Sequence, residues 1–205
     1  NTAAKTPANT TTKTRMMVQI AMLTAVAEVL MLFDFPLPFA PSFYKIDLSE
    51  VPILIGCFAM GPAAGIIIEA MKILLNFIIS GTVTAGVGEL ANFAIGCSMV
   101  LPAGLIYRYH KTRKNAVLGM AAGTLVMAVI GGLLNAFVLL PAYAALFGGM
   151  DAIIGMGTAV NKNITSVQSF VLLSVVPFNL VKGVIVSLVT FLLYKHVSRV
   201  LIHNA

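Results

Sequence analysis

The stretch from residue 115 to 145 holds no Asp, Glu, Lys or Arg, and it is the longest of six apolar runs in the chain. In hydrocarbon about 20 apolar residues in a helix cross one leaflet pair, because every backbone donor then meets an acceptor within the helix. The runs, separated by charges or turn signals, fall at about 16–33, 50–60, 62–80, 86–109, 115–145 and 169–196. With 59% hydrophobic residues, 10% charged residues and a mean hydropathy of +0.98, little sequence remains for a soluble catalytic domain. The expectation is an all-α integral membrane protein with six transmembrane helices in one membrane domain, 16–205. Residues 1–15, rich in Thr, Ala and Lys and without an apolar signal core, read as a disordered tail. The run 50–60 is too short to cross alone at ~1.5 Å per residue. Gly61-Pro62 turns it sharply into the next run, so it begins inside the preceding loop or forms a partial span.

A net charge of +6 raises the question of nucleic acid, but the cations sit in short clusters beside the apolar runs, the distribution that orients membrane helices. Nine of the thirteen, Lys5, Lys13, Arg15, Arg108, Lys111, Arg113, Lys114, Lys195 and Arg199, fall on one side of a six-span topology. That side is cytoplasmic, and both termini with it. Cys57 and Cys97 lie inside apolar runs, where a thiol acts as a small hydrophobe. His110, His196 and His203 have no carboxylates or thiols clustered with them, so no metal site is expected. Neither a phosphate-binding lysine loop nor a nucleophile elbow occurs, and any energy source must lie in another protein.

Two outer connections are long, 34–49 and 146–168. In the first, Phe35-Pro36-Leu37-Pro38-Phe39-Ala40-Pro41 alternates apolar residues with prolines, which predicts a stiff, extended strap acting as a lid. The second, from Gly148-Gly149 to Asn161, reads as flexible.

A charge or amide inside a span costs several kcal/mol unless partnered, so each is a functional candidate. Here they are Glu28, Glu69, Lys72, Asn76, Glu89, Asn92, Asn135, Asn179 and Lys182. Asn135 and Asn179 each lie about ten residues from the outer end of their runs, hence level at a depth of ~15 Å. Glu89 and Asn92 share a helix face by i,i+3 spacing, as do Asn179 and Lys182. Three helices thus aim amides and charges at one level of the outer half. Amides that both donate and accept suit hydroxyl-bearing or heterocyclic ligands; the plainer alternative is interhelical bonding worth about 0.6 kcal/mol each. Glu69 and Lys72, also i,i+3, read as a structural ion pair.

Gly86-Val87-Gly88-Glu89-Leu90-Ala91 imitates a dinucleotide fingerprint but lacks the preceding strand that such a motif needs, so its glycines read as a tight outer bend. Gly61/Gly65, Gly119/Gly123 and Ala21/Ala25 have small-xxx-small spacing, a pattern of close helix packing. Ala21 and Ala25 share a face with Glu28 on the first helix and could accept another subunit there.

The string Phe35-Pro-Leu-Pro-Phe-Ala-Pro-Ser-Phe-Tyr-Lys-Ile-Asp-Leu-Ser-Glu-Val-Pro52 resembles the first loop of the riboflavin-specific S components of energy-coupling factor (ECF) transporters. Similarity continues through Gly61-Pro62, Val87 to Phe93, Asn135, and Asn179-Leu-Val-Lys182-Gly183, covering Met16 to Lys195. The resemblance implies six helices, a first loop covering a riboflavin ligand held by the last three, and no cofactor. It also implies partners: a membrane T component and two ATPases, docking at Ala21 and Ala25, with the chain toppling to release its ligand inside. By matching position, Asn135, Asn179 and Lys182 would bond the ligand's polar atoms, Glu89 and Asn92 would complete the polar wall, and Pro36, Leu37 and Phe39 would cover its ring, with Lys45 at the mouth. Tyr44 stands where Leu or Phe is expected, and Glu50 where Asp is. Asp34, Asp47, Glu50 and Glu89 against Lys45 and Lys182 would make the entrance repel anions. Competing readings are an S component for another vitamin or for flavin mononucleotide, and an intramembrane enzyme using Glu69 and Lys72, which lacks a nucleophile or metal cluster.

Overall fold

The computed structural model describes residues 7–82 and 84–202, with side chains over 13–82 and 84–194. Lys5, Lys195, Arg199, His196 and His203 lie outside the described side chains. The first helix, α1, runs Pro7–Leu32, so residues 7–15 extend it where a disordered tail was expected. A small hairpin follows, β1 (Phe35–Pro36) antiparallel to β2 (Lys45–Ile46), with Pro36 opposite Lys45. Then come α2 (Glu50–Met60), α3 (Pro62–Ser80), α4 (Val87–Tyr109) and α5 (Arg113–Leu134). A π-helical turn, Asn135–Leu139, carries α5 into α6 (Leu140–Leu146). After α7 (Met150–Val160) and the single turn α8 (Val167–Phe170), a second π-helical turn, Val171–Val175, leads into α9 (Val176–Ile202).

Five helical stretches are long and apolar enough to cross a membrane: 13–32, 62–80, 87–109, 113–146 and 167–194. The second apolar run of the sequence, α2, is only 11 residues long. It packs against α1, α3, α4 and α9. Its residues from Glu50 to Phe58 are all buried, as expected of a helix that is apolar all round. The outer surfaces are apolar as well: Ile78, Leu90, Phe137 and Leu192 are exposed, the inside-out pattern of a protein whose solvent is lipid.

Close packing explains the small-residue spacings. A Cβ on Gly119 would stand 2.7 Å from the Ala103 carbonyl oxygen, and Gly123 meets the Met99 backbone in the same way one turn later, so α4 and α5 touch backbone to backbone. Gly61, at φ 103°, supplies the sharp α2–α3 turn that L side chains resist.

Both π-helical turns precede a proline by two residues, Pro141 after 139 and Pro177 after 175. A proline inside a helix has no N–H for the carbonyl four residues back and its ring pushes that carbonyl away, so a widened turn is the local relief. The strap and the connection 146–168 differ from the sequence reading. The strap 35–41 is extended over two residues only and then folds back, with Ala40 N–H donating to Leu37 O at 3.2 Å and Tyr44 N–H to Pro41 O at 2.9 Å. The connection 146–168, expected to be flexible, contains α7: Ile153 is buried, and Gly157 lies flat against Phe170 and Ile164. Two apolar contacts one turn apart are enough to seat a short helix on the bundle.

Candidate functional site

At the hairpin end of the bundle a cavity of about 710 Å³ opens between the hairpin, α3, α4, the α5–α6 bend and α9. Its size is that of a small-molecule site. Glu89 and Asn92 of α4, Asn135 of the first π-helical turn, and Asn179 and Lys182 of α9 all line it, together with Lys45 from β2. Residues separated by 93 positions in sequence, Glu89 and Lys182, therefore share one wall. Pro36, Leu37 and Phe39 do not line it: Pro36 is in the far strand of the hairpin, Leu37 packs into the apolar cluster around Ile153 and Phe170, and Phe39 is exposed. Instead Phe43 and Tyr44 face the cavity from the hairpin.

The amides are held in place. Asn135 Nδ2 donates to Gly131 O at 2.8 Å, one turn back, and its Oδ1 accepts from Tyr44 Oη at 2.5 Å. Asn179 Nδ2 donates to Val175 O at 3.0 Å. A Cβ on Gly131 would come within 2.8 Å of Asn179 Nδ2, so that glycine opens the space between α5 and α9 in which the amide sits.

In the sequence Tyr44 stands out only as a departure from a pattern, and Phe43, Tyr143 and Phe178 carry no mark of their own. Tyr44 lies 5.3 Å from Phe178, centroid to centroid, and Phe43 lies 5.4 Å from Tyr143. These rings give the cavity an aromatic lining beside its amides. A signal existed: Asn135, Leu139, Tyr143 and Phe147, all in the wall, repeat at i,i+4.

The charges are paired in a way the sequence does not display. Lys182 Nζ lies 3.1 Å from Asp47 Oδ2, and Lys45 Nζ lies 3.0 Å from Asp34 Oδ1. Burial by itself would raise the Asp47 carboxyl, but the ammonium groups of Lys182 and Lys72 and hydrogen bonds from Ser49 outweigh it and hold the pKa down at about 2. Glu89 accepts from the Thr82 hydroxyl at 3.0 Å. Glu50, expected at the mouth, is turned away from it. Its Oε1 lies 3.1 Å from Lys72 Nζ, which also sits 3.0 Å from Glu69 and 3.3 Å from Ser49 Oγ, all fully or nearly fully buried. The expected Glu69–Lys72 ion pair is thus a trio with a third member from α2. Glu28, although spaced to share a face with Ala21 and Ala25, is buried and accepts from Asn76 Nδ2 at 3.2 Å, joining α1 to α3. Ala21 and Ala25 themselves are exposed.

A second, shallower hollow of about 410 Å³ at the opposite end is lined by Arg113, Lys114, Val117, Leu118 and Phe191. Among the described residues its wall carries no amide, carboxylate or hydroxyl, only the cations Arg113 and Lys114, so it lacks the mixed donors and acceptors that orient a solute.

The family model for the ECF transporter substrate-specific component matches residues 15–194. The riboflavin transporter RibU of Staphylococcus aureus (strain TCH60) is 35% identical over 187 residues, 91% of this chain and 92% of that protein. The riboflavin transporter FmnP of Bacillus subtilis (strain 168) is 33% identical over 183 residues, 89% of this chain and 91% of that one. A solved structure of the S component of a bacterial ECF transporter superimposes with a TM-score of 0.73 at 35% identity, over 93% of this chain and 99% of that chain.

Proposed function

Since the chain belongs to the substrate-specific components of ECF transporters, multi-pass membrane proteins and not enzymes, we propose that its cavity captures riboflavin and delivers it across the membrane. The observation that carries this reading is the cavity itself: about 710 Å³, lined by the amides and ammonium of Asn92, Asn135, Asn179 and Lys182 together with the rings of Phe43, Tyr44, Tyr143 and Phe178. A flavin has a planar apolar ring with alternating donors and acceptors along one edge and a polyol chain. Aromatic walls suit the ring face, amides suit an edge that needs both donor and acceptor, and ammonium or hydroxyl groups suit the polyol. The names of the relatives support the same ligand.

In this reading the α2 helix is a partial second span, making six membrane elements with both termini cytoplasmic, as the cation clusters favour. The hairpin is the lid, its Phe43–Lys45 limb facing the ligand and Pro36, Leu37 and Phe39 forming its outer cover. The exposed Ala21 and Ala25 face of α1 receives a membrane T component, two ATPase subunits supply the energy, and toppling of the chain releases the ligand inside. Purification in detergent tests the ligand: the protein should titrate with riboflavin stoichiometrically, quenching flavin fluorescence. A chain that leaves free riboflavin unchanged at high concentration would overturn the assignment.

A further inference from the structure

Resting on the riboflavin reading, we propose that Asp47 determines specificity against phosphorylated flavins, because it occupies the ammonium of Lys182 that a phosphate ester would need. The cavity wall holds two cations, and each is already bonded to a carboxylate of the first loop: Lys182 to Asp47 at 3.1 Å, Lys45 to Asp34 at 3.0 and 3.1 Å. The third carboxylate of the wall, Glu89, has Thr82 as its hydrogen-bond partner and no ion pair among the described residues. Three carboxylates against two ammonium groups leave the wall one negative charge in excess. Behind it, Glu50 and Glu69 surround Lys72, so among the described residues no neighbouring element offers a spare cation.

The two pairs are not equivalent. The Lys45–Asp34 side chains are 47% and 39% exposed, whereas those of Lys182 and Asp47 are 11% and 9% exposed. Exposed pairs exchange partners with water at little cost; a nearly dry pair does not. A neutral flavin needs only a hydrogen bond, and an ammonium with three donors can give one while keeping Asp47. A phosphate monoester carries about −1.5 to −2 charges at neutral pH. It would have to displace Asp47 from Lys182 or lie unpaired beside it, and like charges in a desolvated site are strongly disfavoured. Asp47 is ionised throughout the physiological range, since its carboxyl is held at about 2.

The test is the ratio of dissociation constants for riboflavin and riboflavin 5′-phosphate, titrated side by side at fixed ionic strength. Asp47→Asn, which keeps the shape and an acceptor for Ser49, should shift that ratio toward the phosphate by about tenfold or more. Asp47→Glu should leave it near the parent value, and Asp34→Asn should shift it by less than threefold. If Asp47→Asn weakens both flavins by the same factor, Asp47 is only a tether for the loop and the proposal falls. Should that variant fail to fold, Asp47→Ser removes the same charge and is read by the same ratio. A parent protein that binds neither flavin would instead overturn the riboflavin reading on which the proposal stands.

Discussion

Replacing Lys72 by Met removes the one ammonium that holds two buried carboxylates. Lys72 and Glu69 are fully buried and Glu50 is 2% exposed, with Nζ–Oε1 distances of 3.0 and 3.1 Å. Methionine nearly matches the aliphatic stem in volume, so the loss is electrostatic and not a cavity effect. Removing one partner of a buried ion pair costs about 3–5 kcal/mol, because the remaining charge has neither water nor counter-ion. Glu50 and Glu69 both lose their ammonium partner, which puts Lys72→Met within that range. At roughly 2–4 °C per kcal/mol for a chain of this size, the unfolding midpoint in detergent should fall by on the order of 10 °C or more. Cys57, 1% exposed, provides the probe: in a Cys97→Ala background, a maleimide dye that fluoresces on reaction should label it only as the bundle opens. Adding Glu50→Gln and Glu69→Gln to Lys72→Met should recover most of the loss, since neutral amides need no counter-ion. A midpoint for Lys72→Met within a degree or two of the parent would refute the reasoning, as would failure of the triple variant to recover.

Further outcomes follow from the site. Asn179→Ala or Lys182→Ala should weaken riboflavin binding by about 1–3 kcal/mol in a fluorescence titration while the chain still inserts and folds, because a buried ligand group loses its partner. Ala21→Trp with Ala25→Trp should leave that titration unchanged yet abolish uptake in cells carrying the complete transporter, since helix backbones could no longer approach. The Asp47 carboxyl, lowered from 3.8 to about 2, stabilises the folded chain above its unfolded value and loses that contribution as pH falls from 3.8 through 2. Riboflavin binding should therefore be flat from pH 5 to 8, while the flavin ratio moves further toward riboflavin as the phosphate takes its second charge at pH ~6, less so in Asp47→Asn. A break in the riboflavin curve itself within that window, lost in Asp47→Asn, would contradict the assignment.

The membrane class, the helix positions and the level of Asn92, Asn135 and Asn179 are legible in the sequence, because each rests on local period and length. A helix rises ~1.5 Å per residue whatever surrounds it, so counting from its end places an amide in depth. The π-helical turns were not: Pro141 and Pro177 each follow one, yet Pro102 sits inside α4 without any, so the proline alone does not decide it. Charge partners were not. Lys182 finds Asp47 across 135 positions, and Lys72 finds Glu50 across 22, pairings decided by how the hairpin and α2 fold back into the bundle. For the same reason the hairpin limb that faces the cavity is Phe43 to Lys45 and not Pro36 to Phe39: strand pairing turns the strap over, and no local rule reports which limb ends up beside the cavity. Depth and periodicity belong to single helices and are written in the chain; which charges neutralise one another exists only once separate segments have been packed together.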